Sequence, residues 1–471
     1  MDRTNKKLIM NMIYSGLGQL LILITPIITT PYVARIFSPS DIGLYSTSYA
    51  LATFFVQFAS FGIPIYGVRK IARAHNIEQR SRFFFETWFL QIVTTIISFF
   101  TYLICVYIFY NQSTIYMIQS LLILTNIFNI SWFFIGIEEI KKNVYRNLLS
   151  KIVTLIAVFL FVKTTDDLSL YTFINIAGVL IGNFSMVLQL KPFINYKLSK
   201  KFALRKKEAA ESFGLLVPQV VESAKNAVSR IILVFFSGYS ESGFYEQGLK
   251  IVVVLGTVIQ SITNAITPRM TSLLSENKRA EVIKIVERYV VLANILATII
   301  VCGVMTVSDF FVPLFFGPKY LHVSVIMKIS SVSLIFTTLS YFLGNGLLVS
   351  LSKDREYREA NYFSAITLIL GNLMLSNSLG SIGAGGSFVL SSFVLLCFIM
   401  YFLKNYIDLK NIVKQLFLSF LVILVTSTIV EVIKNMIVIE NNFLGFIIFG
   451  SISFVFSFLC YFPTLLKVKK Q

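Results

Sequence analysis

A chain of 471 residues that is 56% hydrophobic and only 14% charged, yet carries a net charge of +18, has too little polar surface to cover a water-soluble fold of this size. With apolar runs of twenty or more recurring along its length, it reads as a polytopic membrane protein. The basic excess is a topological bias with some attraction for anionic membrane lipids, and nucleic-acid binding is not indicated.

Each bilayer crossing needs about 20 mostly apolar residues, and reading from charge cluster to charge cluster gives fourteen segments. They span 8–33, 42–68, 83–109, 114–137, 144–162, 168–190, 213–236, 242–267, 288–311, 321–349, 360–378, 382–403, 412–433 and 443–466. Helices are expected throughout, because an open sheet would leave backbone groups unpaired in lipid and the ten-residue alternation of a membrane barrel is missing. The first segment follows Arg3, Lys6 and Lys7 like a secretory signal, but it is too long and no small-residue cleavage site follows it.

The gaps on the amino-terminal side hold 32 Lys and Arg, against four in the gaps on the other side: Arg35, Lys163, Lys319 and Lys434. By the positive-inside rule both termini are expected in the cytoplasm. Cys105, Cys302, Cys397 and Cys460 all lie in apolar segments and read as small packed hydrophobes. The only histidines are His75 and His322, with no Cys/His cluster, Gly-rich phosphate loop or nucleophile constellation. No metal, cofactor or catalytic residue is expected.

The basic stretch 191–212 separates two halves that echo one another. Ser40-Asp41-Ile42-Gly43-Leu44-Tyr45 returns as Ser240-Glu241-Ser242-Gly243-Phe244-Tyr245, in the outer gap after the first segment of each half. Six crossings separate the two copies, so the halves share one orientation, as in a parallel repeat. The expected organisation is a lobe over 1–190, a basic linker over 191–212, a second lobe over 213–403 and two additional helices over 404–471. Pro26 and Pro31 in the first segment and Pro218 in the seventh are read as helix interruptions at corresponding positions.

At 100° per residue four helices carry polar stripes. Asn11, Ser15, Gln19, Pro26 and Thr29 share a face of the first, and Ser46, Tyr49, Thr53, Gln57, Ser60 and Pro64 a face of the second. The seventh aligns Gln219, Glu222, Ser223, Asn226 and Arg230, and the eighth Glu246, Lys250, Thr257, Gln260, Ser261 and Asn264. Each of Glu222, Lys225 and Arg230 would cost roughly 2.5–3.5 kcal/mol at the bilayer centre. The seventh helix is therefore kept from lipid, unless Glu222 pairs with Lys225 and Arg230 snorkels outward. The model that follows is a hydrated cleft between two six-helix lobes, lined by helices one, two, seven and eight. Arg35, Arg230 and Lys250, with Lys225 at the stripe's edge, are candidate pyrophosphate ligands, since guanidinium binds phosphates multidentately and ammonium acts as a point charge. Gln57, Gln219, Asn226, Gln260 and Asn264 are candidate sugar contacts. Glu222 and Glu246 are candidate ion or proton sites, or hold the basic side chains in place.

The stretches TPYVARIFSPSDIGLYS (30–46), FGIPIYGVRKIA (61–72), SWFFIGIEEIKKNVYRN (131–147), GFYEQGLKI (243–251) and FFGPKY (315–320), with Gly383-Ala384, resemble the Wzx-type polysaccharide flippases, whose fold is similar to the multidrug and toxin extrusion transporters. The resemblance implies alternating-access transport of an undecaprenyl-pyrophosphate-linked oligosaccharide to the outer leaflet of the bacterial cytoplasmic membrane. It also implies partner glycosyltransferases and a polymerase that build capsule or another surface polysaccharide. One departure is Ser229-Arg230, where the family commonly sets an acidic residue beside the basic one. Two alternative readings stand beside it. A cation-coupled drug exporter of similar fold would want a more acidic cavity, and a membrane-embedded glycosyltransferase or polymerase would want a large outer loop.

Overall fold

The computed structural model describes residues 25–111, 113–196, 206–437 and 439–470, with the side chains of 206–208, 217, 218, 222, 226 and 465–470 outside the description. Among the described residues every regular element is a helix. Ten helices are long and apolar enough to cross a membrane, and the pair Val323–Ser331 and Ser333–Leu348, bent by 44°, supplies an eleventh span. The chain is a multi-pass membrane protein. One of the ten, α14 (Asp354–Leu403), is two spans, because Gly380 breaks it at φ 54°, ψ −133°. Across that turn Ser364 Oγ meets Ser391 Oγ at 2.8 Å, so its two arms run antiparallel. With α1 (described as helix over 25–36) and the more highly charged α9 (Lys206–Ser237), each of the fourteen expected segments is represented by helix among the described residues.

The chain divides into two compact units inside α9, between Ile231 and Ile232. The first contains α1, α2 (Pro39–Ser60), α3 (Ile63–Ala72), α4 (Ile77–Phe109), α5 (Thr114–Leu124), α6 (Ser131–Gly136), α7 (Ile140–Phe161), α8 (Leu168–Leu188) and most of α9. The second contains the end of α9, then α10 (Tyr239–Ser275), α11 (Arg279–Phe315), α12 (Val323–Ser331), α13 (Ser333–Tyr341), α14, α15 (Leu409–Met436) and α16 (Asn442–Lys470).

Polar pairing inside each unit follows from the absence of water around it. In the second unit, Asn294 of α11 donates to the Gln415 carbonyl (3.0 Å) and to Ser419 Oγ (2.6 Å) of α15. Tyr461 of α16 joins through Ser419 (3.0 Å) and Thr298 (3.2 Å). This buried knot ties α15 and α16 to α11; interhelical hydrogen bonds in membranes contribute about 0.6 kcal/mol each on average. In the first unit the buried Lys70 of α3 and the exposed Arg82 of α4 both donate to the buried Glu86 of α4, Nζ and Nε each at 2.9 Å, so the Lys70 pair ties α3 to α4.

Two sequence expectations about helix breaks need correction. Residues 25–36 are helical through Pro31, and α9 is helical through Pro218. The second span breaks at Phe61–Gly62, just before Pro64. Two further breaks fall at Thr125–Ile130, between α5 and α6, and at Val332, between α12 and α13; these lie in the fourth span of each half, and neither of those spans contains proline. At Thr125–Ile130 side chains from other helices satisfy the freed backbone groups.

The repeated motif also acquires a structural role. Ser38 and Asp41 form a capping box at the start of α2: Asp41 N–H donates to Ser38 Oγ (3.3 Å) and Ser38 N–H to Asp41 Oδ2 (2.9 Å). Its counterpart Glu241 caps a different helix, accepting from Ser381 N–H (2.7 Å) and from the Ser381 hydroxyl at the start of the second arm of α14. A Cβ at Gly380 would stand 2.6 Å from the same Glu241 oxygen, and the backbone there is left-handed. Gly380→Ala is expected to cost on the order of 1–3 kcal/mol and to lower the thermal midpoint in detergent, whereas Ser378→Ala, two residues away and exposed, leaves it unchanged.

Candidate functional site

The irregular stretch Thr125–Ile130 interrupts the fourth span, so its carbonyls have lost their helical donors. Three side chains replace them. The Gln91 amide donates to the carbonyls of Asn126 and of Asn129 (3.1 Å to the latter), Trp88 Nε1 to Ile127 O (2.9 Å), and Asn183 Nδ2 to Thr125 O (3.0 Å). Trp132 Nε1 holds Gln91 by its Oε1 at 2.9 Å. Asn126 is fixed in turn, accepting from Ser60 Oγ (3.2 Å) and donating to Thr95 Oγ1 (3.0 Å). Non-helical backbone at membrane depth is tolerated only where protein buries it or where it lines a cavity. Here both conditions hold, because a cavity of about 250 Å³ opens against the break.

Its other walls are α2, α7 and α8. On α7 the residues Asn143, Arg146, Asn147, Ser150, Lys151 and Thr154 follow the i, i+3, i+4 spacing of one helical face, and Arg146, Asn147, Ser150 and Lys151 line the cavity. That face meets α8 closely because Gly178 and Gly182 form a small-xxx-small pair. A Cβ at Gly182 would lie 2.8 Å from Ser150 Cβ, and Asn183 beside it reaches both Arg146 and Thr125.

Arg146 is the centre of the site. Its Nη1 donates to Asn129 Oδ1 (3.0 Å) and Asn183 Oδ1 (3.3 Å), while Nε and Nη2 both donate to Asn147 Oδ1 (3.1 and 2.7 Å). The guanidinium is thus positioned by amide oxygens from three structural elements, and no Asp or Glu lines the cavity. Its charge is fixed in place without being neutralised. Lys151, exposed on the same wall, adds a second cation.

The residues singled out by sequence distribute differently. Tyr49 and Thr53 of the α2 stripe line this cavity, while Gln57, one turn further on, is half-buried. Arg35 is exposed near the end of α1. Gln219, Lys225 and Arg230 are half-buried along α9; the side chains of Glu222 and Asn226 lie outside the described residues. In the second unit, Lys250 Nζ is 3.9 Å from Glu246 Oε1 and donates to Gln247 Oε1 (3.3 Å). Gln260 is half-buried, and Asn264 Oδ1 accepts from Tyr341 OH at 2.9 Å.

Arg146, Lys151, Asn129, Asn147 and Asn183 did not emerge from the sequence. Arg146 falls among the inner-gap charges when Lys and Arg are counted for topology, which hides the stripe that it begins. The 143–154 periodicity was the available signal.

Residues 8–274 match the family described as "Polysaccharide biosynthesis protein". The chain belongs to this family. Within it, the chain is 23% identical over 412 residues to a putative O-antigen transporter of Escherichia coli (strain K12), covering 85% of this chain and 98% of that protein. It is also 23% identical over 199 residues to the capsular polysaccharide biosynthesis protein CapF of Staphylococcus aureus, covering 41% of this chain and 50% of that one. Among solved structures it is similar to the lipid II flippase MurJ in an inward closed conformation, with a TM-score of 0.73 at 14% identity over 97% of this chain and all of that one. An inward-facing multidrug resistance transporter of the MATE family gives a TM-score of 0.65 at 10% identity, covering 83% of this chain and 98% of that chain. At these identities the two structures establish a shared MATE-like fold.

The close α7–α8 contact of this polysaccharide biosynthesis protein is open to a direct test. Gly182→Leu forces a branched side chain against Ser150 and the Arg146 backbone, an overpacking cost of typically about 1–3 kcal/mol. The variant is expected to show a lower thermal midpoint and to lose surface polysaccharide in cells, while Gly214→Ala, where no atom lies within 4 Å of the added Cβ, has neither effect.

Proposed function

We propose that this protein is a flippase that moves an undecaprenyl-pyrophosphate-linked oligosaccharide from the inner to the outer leaflet of the bacterial cytoplasmic membrane, for capsule or other surface polysaccharide synthesis. The observation that carries the reading is a membrane-embedded cavity walled by two cations, amides and a tyrosine, with no carboxylate. Such a lining suits a cargo that is anionic and rich in hydroxyls. A cationic amphiphile, the cargo of a drug exporter, would find no counter-charge there. The E. coli and S. aureus relatives, named for O-antigen transport and capsule synthesis, support the same assignment.

In this proposal the lobes over 1–190 and 213–403 alternate access about the basic linker 191–212, with 404–471 attached to the second and both termini cytoplasmic. Arg230, Lys250, Arg35 and Lys225 engage the pyrophosphate. Gln57, Gln219, Asn226, Gln260 and Asn264 contact sugar hydroxyls, and Glu222 is the candidate ion site. Glu246 is assigned the humbler task of positioning Lys250, in keeping with their contact. The upstream glycosyltransferases that build the repeat unit and the polymerase that consumes it are the functional partners.

Replacing Arg230 by Ala in cells that depend on this protein is expected to reduce surface polysaccharide by about tenfold or more, the effect of losing roughly 1.4 kcal/mol of binding, while lipid-linked repeat units accumulate. Wild-type polysaccharide at equal protein level would remove Arg230 from the mechanism. Strong drug sensitisation on gene deletion, with polysaccharide intact, would reject the flippase reading itself.

A further inference from the structure

We propose that the cavity of the first unit is a subsite for an acidic group carried by the glycan, a sugar-borne carboxylate or phosphate, distinct from the lipid pyrophosphate. The inference rests on the flippase reading and narrows its substrate class to acidic oligosaccharides.

Donor accounting at Arg146 carries the argument. Guanidinium has five N–H groups. Both on Nη1 are taken by Asn129 and Asn183, and the Nε hydrogen and one on Nη2 by Asn147. One N–H remains, together with the whole positive charge. Pyrophosphate recognition by arginine uses the fork bidentately, and this fork is already occupied. A singly charged oxyanion needs only what is left: one guanidinium N–H, a nearby ammonium and neutral donors. Lys151 supplies the ammonium, and it has no hydrogen-bond or ion-pair partner among the described residues.

Two further features fit a sugar as the bearer of that anion. Tyr49 lines the cavity and stacks on Tyr45 with ring centroids 6.0 Å apart at 16°, which offers a flat face to the C–H side of a pyranose ring. The volume of about 250 Å³ falls below the roughly 300–1,000 Å³ of sites for drug-sized ligands, so the cavity takes a single ring and its substituent. A neutral ring would not justify the cations. No carboxylate lines the cavity beside Arg146 and Lys151, and an acidic group on the cargo supplies the missing counter-charge.

The test uses purified full-length protein in lipid nanodiscs and three synthetic polyprenyl-pyrophosphate disaccharides that differ only in the outer sugar: glucose, glucuronic acid or glucose 6-phosphate. Wild type is expected to bind at least one acidic lipid about tenfold tighter than the neutral one, and whichever shows the larger ratio identifies the acid. In Arg146→Gln and Lys151→Gln the acid-over-neutral ratio is expected to fall to about one, with partial recovery in Arg146→Lys. A wild-type ratio near one for both acids overturns the subsite while leaving the flippase reading intact. Variants that weaken all three lipids by the same factor, keeping the ratio, also overturn it and make the pyrophosphate the ligand. If wild type binds none of the three lipids, the flippase reading falls as well.

Discussion

A helix that breaks inside a bilayer must find new partners for every backbone group that it frees, because no water is present to take them. The rest of the first unit is arranged around that requirement at Thr125–Ile130. Gln91, Trp88 and Asn183 reach the freed carbonyls from α4 and α8, and each is held by something else, as Trp132 holds Gln91. A polar scaffold assembled for backbone satisfaction then becomes the wall of a cavity. Asn183 shows the economy of this most clearly, since its Nδ2 satisfies the break and its Oδ1 accepts from Arg146.

Charge in this protein is handled in two ways. Lys70 and Arg82 share Glu86 at 2.9 Å each, and Lys328 donates to Asp309 at 2.6 Å, with Ser324 and Lys434 adding to the same carboxylate. In these clusters each cation meets a carboxylate, and their place is to join helices: α3 to α4, and α11 to α12 and α15. Around Arg146 the acceptors are amides. Amide oxygens satisfy the hydrogen-bond geometry of a guanidinium without cancelling its field, which in a low-dielectric surrounding extends further than it would in water. The distinction separates cations neutralised between helices from one held by amides alone.

Helix number, the all-α class and the turn at Asp41 were legible because each rests on local information: a run of about 20 apolar residues, a charge cluster, a Ser-Pro-Ser-Asp cap. The breaks in the fourth and tenth spans were not. Proline is the local signal for a break, yet Pro31 and Pro218 sit within helices while the proline-free fourth and tenth spans yield. Those breaks depend on residues distant in sequence, such as Gln91 and Asn183, whose roles cannot be read until the helices are placed together. Arg146 was hidden for a related reason. At the inner end of a span, one arginine serves topology and cavity alike, and a count of charges records only the first. The α2 stripe was legible as polar, but that Tyr49 and Thr53 turn toward the interior of their own unit required the positions of α5, α7 and α8.

The two halves repeat a plan and then specialise it. Both place a carboxylate in the turn after their first span, but Asp41 caps its own helix while Glu241 crosses to the hairpin at Gly380. Both break their fourth span, but the surroundings differ in kind. The first break is met by Asn126, Asn129, Asn183 and Arg146. The second is flanked by Ser330, Ser331 and Ser333, whose short hydroxyls largely turn back to their own helix: Ser331 donates to Lys328 O (2.7 Å) and Ser333 to Ser330 O (2.6 Å). Lys328, the cation nearest that break in sequence, is already committed to Asp309. A serine that bonds to its own helix bends it without presenting donors to a ligand, whereas an asparagine-clamped arginine presents both donor and charge. The same topological feature is therefore met by serines bonded to their own helix in the second unit and by an asparagine-clamped arginine in the first, and it is the first that the proposed acidic-glycan subsite uses.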